Sequence, residues 1–88
     1  MTKKLNNNTD LYDYLLSLGD LLADRGAQQL AEAVQFAARQ GTGLSTEFLG
    51  ESHIALRDVL EKEGGVLGAT ERNDLVGVIS QVEFALRG

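Results

Sequence analysis

The chain contains no cysteine, no proline and no tryptophan, and it has a single histidine. Without cysteine there is no disulfide, no thiolate metal site and no cysteine nucleophile. A cysteine-free composition fits a reducing compartment, and the expected location is the cytoplasm. Long apolar runs are missing too. No stretch approaches the about 18 residues of a membrane span, so no membrane partner is expected. The opening MTKKLNNNTD has two lysines but no apolar run behind them, and does not read as a signal peptide.

Basic residues are few and spread out. Thirteen acids stand against eight bases, for a net charge of -5. Lys3, Lys4, Arg25, Arg39, Arg57, Lys62, Arg72 and Arg87 gather on no one face. Nucleic-acid binding draws its affinity from clustered cations facing phosphates. Direct contact with DNA or RNA is therefore not expected.

What is present is an ordinary globular composition. Of the 88 residues, 43% are hydrophobic and 24% charged, which allows one domain with one core and is too apolar for a disordered chain. With proline absent, glycine punctuates the sequence. The spacing predicts a flexible polar lead over 1–9 and a single domain over 10–88 built from four helices. The first spans about 10–25, with Asn8 or Thr9 as N-cap and Gly26 beyond its end. The second spans about 27–40 and stops at GTG. A third covers about 46–62, opened by a Leu44–Leu49 hydrophobic staple and closed before Gly64-Gly65. The fourth runs from about 71 to 87 with Thr70 as N-cap. The apolar stripe shifts by roughly a quarter turn across Gly26, at about 100° per residue. A break or a sharp kink accounts for that shift. Short connections favour antiparallel neighbours, so the expected fold is an all-α, compact four-helix bundle, with dimerisation as a way of completing it.

The stretch LSTEFLGESHIALRDVLEKEGG holds the histidine, a Ser-His pair and two glutamates four apart. Set on a helix, Phe48, Leu49, Ser52, Ala55, Leu56, Val59 and Leu60 form the core stripe, with His53 at its edge. Position 50 is Gly, so there is no Glu-x-x-His metal pair. Ser52 and His53 diverge by about 100°, too far for a nucleophile and its base. GTGLST and GGVLGAT lack the lysine and the strand context of phosphate loops and serve as helix stops. No cofactor or metal site is expected, and an enzyme is the disfavoured reading. If carboxylates carried a reaction, a deep pocket lined by Asp13, Asp20 or Asp24 would be its sign.

Apolar residues off the core stripes are the more informative signal. Ile54 sits among Glu47, Glu51, Asp58 and Glu61 on the outer side of the third helix, an apolar anchor within an acidic rim. Phe36 lies opposite the Ala27–Leu30–Ala31–Val34–Ala37–Ala38 stripe of the second helix. Phe84 lies opposite the Leu75–Val78–Ile79–Val82–Ala85–Leu86 stripe of the fourth. The first helix has a broad apolar arc, in which Tyr12 and Leu16 widen the Leu11–Leu15–Leu18–Leu22 stripe on one side and Tyr14 and Leu21 on the other. Large exposed aromatics serve a partner or a second copy of the chain. The expectation is a small acidic protein-binding module, close in composition to immunity proteins, antitoxins and other small acidic inhibitors, though no family motif supports that analogy. The alternative is a homodimer that needs no other partner.

Overall fold

A computed structural model describes Leu5 and residues 8–40 and 45–87. Its helices are α1 (Asn8–Asp24), α2 (Gln28–Arg39), α3 (Ser45–Lys62) and α4 (Ala69–Arg87), with no strand among the described residues. They pack as the expected bundle of four helices. Residues Gly19 and Gln35 face each other across α1 and α2, as do His53 and Glu83, and Glu63 and Arg72, on the α3 and α4 side. These pairings make both hairpins antiparallel. Overall extents of 32 × 25 × 19 Å match one helix length by a two-helix cross-section, since a helix of 19 residues rises about 28 Å at 1.5 Å per residue.

The chain breaks at Gly26 rather than kinking. Gly26 takes a positive φ of 87°; its N–H donates to the Ala23 carbonyl at 3.1 Å, and the Ala27 N–H donates to the Leu22 carbonyl at 2.8 Å. That pair of bonds is a Schellman closure, which needs a left-handed residue and so favours glycine. Gly64 and Gly65 end α3 in the same left-handed region.

Two helix starts differ from the sequence expectation. Helix α4 begins at Ala69, with Thr70 inside it, because the Glu71 carboxylate reaches back to accept the Gly68 N–H at 2.8 Å. This is the N3 half of a capping box, with Gly68 at the N-cap. Helix α1 begins at Asn8, so Thr9 is also inside the helix. Nor is the expected lead free at Leu5, which packs on the core and donates its N–H to Gln81 Oε1 at 2.7 Å. The GTG stop and Leu44 of the staple lie outside the described residues.

Each stripe meets the others in one core. It comprises Leu11, Leu15, Leu18 and Leu22; Ala31, Val34, Ala37 and Ala38; Phe48, Ala55, Leu56 and Val59; Leu75, Val78, Ile79 and Val82; and Leu67 from the α3–α4 connection. Small residues set the α1–α2 spacing, since a Cβ on Gly19 would come within 3.0 Å of Gln35 Cγ. The α4 stripe ends sooner than its phase implies, because Ala85 and Leu86 are exposed. Leu5 already meets Gln81, so the last turn of α4 extends past the described start of α1. The broad arc of α1 is covered on one flank only: Tyr14 and Leu21 are half-buried toward α4, whereas Tyr12 and Leu16 are exposed.

Candidate protein-interaction surfaces

Helices α3 and α4 are joined along their outer edge by a polar seam. His53 Nε2 lies 2.9 Å from Glu83 Oε2, and Arg57 Nη1 lies 3.9 Å from the same oxygen. A carboxylate only accepts, so Nε2 donates. The bond from His53, with Arg57 and Arg87 nearby, holds Glu83 below the ordinary carboxylate range against the opposing effect of burial. His53 is thus the boundary residue expected, with its carboxylate partner supplied by the neighbouring helix. Ser52 points instead into the core, fully buried, and its Oγ has no partner among the described residues.

The seam fixes where the neighbouring side chains go. Ile54 follows His53 and Phe84 follows Glu83. At about 100° per residue in two antiparallel right-handed helices, both steps turn away from the core and toward the same outer side. Accordingly Ile54 is 62% exposed and Phe84 77%. Val76, absent from the sequence reading, is exposed on that side too. Its phase is about 80° from that of Phe84, and it lies close enough to the Ile79 stripe to pass for a core edge.

The acidic rim of Ile54 is partly neutralised. Asp58 Oδ1 pairs with Lys62 Nζ at 3.5 Å, and Glu61 Oε1 with Arg57 Nη2 at 3.8 Å. Glu47 and Glu51 make no ion pair among the described residues, so they carry the uncompensated charge on this side. Phe36, 52% exposed, does not belong to this surface. The Gly19–Gln35 contact turns Phe36 to the outer side of the α1–α2 hairpin, the side where Tyr12 and Leu16 are also exposed. The expected residues therefore divide between two outer faces across the bundle. One carries Ile54, Phe84 and the acidic residues; the other carries Phe36.

Acidic chemistry concentrates elsewhere. Glu63 is almost wholly buried behind the α3–α4 turn, where its carboxylate accepts the N–H of Gly65 and pairs with Arg72 Nη2 at 3.0 Å. Burial pushes its pKa up, but those bonds and the Leu67 N–H outweigh it and bring it below the ordinary value. Glu71 takes both arms of Arg25, at 2.6 and 2.9 Å, and Arg25 also donates to the Val66 carbonyl at 2.9 Å. The Arg25 and Gly68 bonds lower the Glu71 pKa. Between α1 and α4 lies a groove of about 180 Å³ lined by Tyr14, Ser17, Leu18, Leu21, Glu71 and Asp74. Asp13, Asp20 and Asp24 are exposed and do not line it. Among the described residues no cluster of three or more His, Cys, Asp or Glu side chains could hold a metal ion. Nor is any described helix long and apolar enough to cross a membrane.

No protein-family model, curated protein or solved structure matches the chain.

Proposed function

We propose that the protein works by binding another protein through the outer side of the α3–α4 pair. The observation that carries this reading is the placement of Ile54 and Phe84, both mostly exposed, on one side of the His53–Glu83 seam. Apolar anchors of this size cost solubility when left in water and contribute most when a partner covers them. Glu47 and Glu51 beside them, with a net charge of -5, favour a partner with a basic surface. Such a module resembles small acidic inhibitors of the immunity or antitoxin type, and a cytoplasmic location agrees with the cysteine-free composition.

The test compares tagged wild type with Ile54→Lys and Phe84→Asp in affinity capture, after circular dichroism has established that all three fold alike. The reading expects a basic protein that is retained by wild type, lost from both variants and weakened by added salt. The same proteins captured by wild type and variants would refute it.

A second reading draws on the other outer face. Phe36, Tyr12 and Leu16 are exposed together on the α1–α2 hairpin, which suits contact with a second copy of the chain. Light scattering behind a sizing column separates the two readings. A dimer that survives dilution and is lost in Phe36→Asp supports self-association, whereas a monomer at all concentrations rejects it.

A further inference from the structure

The connector between α3 and α4, residues 63–68, is held down mainly by carboxylates. Glu63 Oε1 accepts the Gly65 N–H, Arg72 takes Oε2 at 3.0 and 3.3 Å, and the Leu67 N–H adds a further bond to the same side chain. Glu71 Oε1 accepts the Gly68 N–H at 2.8 Å, and Arg25 grips both Glu71 oxygens at 2.6 and 2.9 Å. Arg25 also donates to the Val66 carbonyl at 2.9 Å. The Val66 N–H donates to the backbone, at the Glu63 carbonyl, 3.1 Å away. Three connector N–H groups thus end on two ionisable side chains, and all four carboxylate oxygens are taken. A proton on either carboxyl must displace a donor, and it exchanges charge-assisted bonds for weaker neutral ones.

What these bonds hold down is apolar. Leu67 is 5% exposed and belongs to the core, and Val66 packs against it. Gly64 and Gly65 join them to α3 with no side chains to unpack, so the connector can change path at little steric cost. The rest of the core, four residues from each helix, lies outside the connector.

The charges around both carboxylates set the direction of the response. Glu63 faces Arg72 from α4 and lines one hollow with Lys62, while α2 brings the uncharged Ala27, Gln28, Gln29 and Leu30 to that side. Glu71 faces Arg25 of α1, with Asp24 beside the guanidinium, and lines the α1–α4 groove with Tyr14 and Asp74. Burial raises the Tyr14 pKa, so the phenol stays neutral. Glu63, against its burial, and Glu71, through Arg25 and Gly68, both titrate below the ordinary 4.5. A released carboxyl returns to the ordinary value and binds its proton first. The hold is therefore complete above about pH 4.5 and is lost as pH falls through each folded value.

We propose that the α3–α4 connector is an acid-released plug: protons on Glu63 and Glu71 displace its N–H and arginine donors, and Leu67 leaves the core while the four helices stay packed. Release turns this end of the bundle apolar, through Leu67 and Val66. The device is separate from the outer α3–α4 surface and stands whether or not that surface binds a partner.

The experiment is methyl and amide NMR of the full chain from about pH 7 to about pH 3.5, with far-UV circular dichroism at each point. The Leu67 methyls and the Gly65 and Gly68 amides should move together toward unfolded-chain positions. The ratio of released to seated Leu67 should rise by about tenfold or more over that range, while the Val34, Val59 and Val82 methyls and the helical signal hold. In the Glu63→Gln, Glu71→Gln double variant the Leu67 resonances should no longer respond to pH. An unchanged ratio in the wild type overturns the proposal. So does a Leu67 transition that coincides with loss of the core methyls, since the connector would then melt with the bundle. Both are read on the wild type and stand whether or not the variant folds. A response that persists in the folded variant also overturns the proposal, because other groups would be driving it.

Discussion

Phe84 and Phe48 are the same side chain in opposite environments, and comparing their truncations tests the interaction surface directly. Phe48 is 1% exposed in the centre of the core, and Phe84 is 77% exposed on the outer side of α4. Removing a buried phenylalanine ring costs about 3–5 kcal/mol, transfer and cavity together. Phe84 has less than a quarter of its surface covered. Full burial of such a side chain stabilises by about 1.5–3 kcal/mol, so Phe84→Ala should cost only about 0.3–0.7 kcal/mol. The helix favours alanine over phenylalanine by a few tenths of a kcal/mol, which reduces even that. In a domain of this size about 1 kcal/mol moves Tm by about 4–8 °C. Phe48→Ala should therefore lower Tm by well over 10 °C, and Phe84→Ala by less than about 5 °C. Urea and thermal denaturation followed by circular dichroism at two protein concentrations give both numbers. A Phe84→Ala cost of 2 kcal/mol or more would refute the reasoning, because the ring would have to be covered in solution. If that cost grew with protein concentration, a second copy of the chain would be the cover.

The remaining predictions concern the fold's local devices. Ser52→Ala removes a buried hydroxyl with no partner and installs a better helix former, so it should raise stability by about 0.5–1.5 kcal/mol; a loss in urea denaturation would mean that the hydroxyl is satisfied. Gly26→Ala and Gly50→Ala both place a methyl in open space, yet their effects should have opposite signs. The first forces a positive φ at a cost of about 1–2 kcal/mol, the second repairs a helix interior for a gain of about 0.5–1 kcal/mol, and paired denaturation curves show both. Glu63, Glu71 and Glu83 all titrate below the ordinary 4.5 in the folded chain. The unfolded chain thus takes up protons first, so the stability they supply is present above about pH 4.5 and is lost as pH falls through each folded value. Tm measured from about pH 7 to pH 3 should fall on the acid side, and Glu63→Gln should lower Tm at neutral pH while flattening that fall; parallel curves would refute the assignment.

Helix number, order and most of the core were legible because each depends on local signals. Glycines with no proline between them mark the stops, and a 3.6-residue stripe survives in each segment. The break at Gly26 was half-visible as a phase shift, and the structure resolves it through the Leu22 and Ala23 carbonyls. Capping misled where a carboxylate replaced the hydroxyl, since Thr70 looks like an N-cap while Glu71 reaches back to Gly68. Exposure of Ile54, Phe36 and Phe84 follows from phase alone. Their division into two faces does not, because that requires knowing which flank of each helix meets its neighbour. The polar pairs were out of reach for the same reason. His53 and Glu83 are 30 residues apart, Arg25 and Glu71 are 46 apart, and no spacing rule connects them. Nothing in the sequence marks Glu63, and only the fold of the Gly64–Gly65 turn over it explains its burial.

Of the four helix-to-helix borders, only the one between α1 and α4 is spanned by no connecting segment of chain. It is latched near its two ends. At one end the Leu5 N–H holds Gln81; at the other, Arg25 grips Glu71 and the Val66 carbonyl. These latches are few and lie near water, so this border is the place where the bundle opens at least expense, short of global unfolding. Slow amide exchange should then survive longest in the middle of α2 and α3, which have a chain neighbour on both sides. The facing turns of α1 and α4, around Leu18 and Leu75, should exchange sooner, although Leu75 is wholly buried and Leu18 nearly so. Burial and permanence are different properties in this chain, and the connectivity of four helices decides where they part.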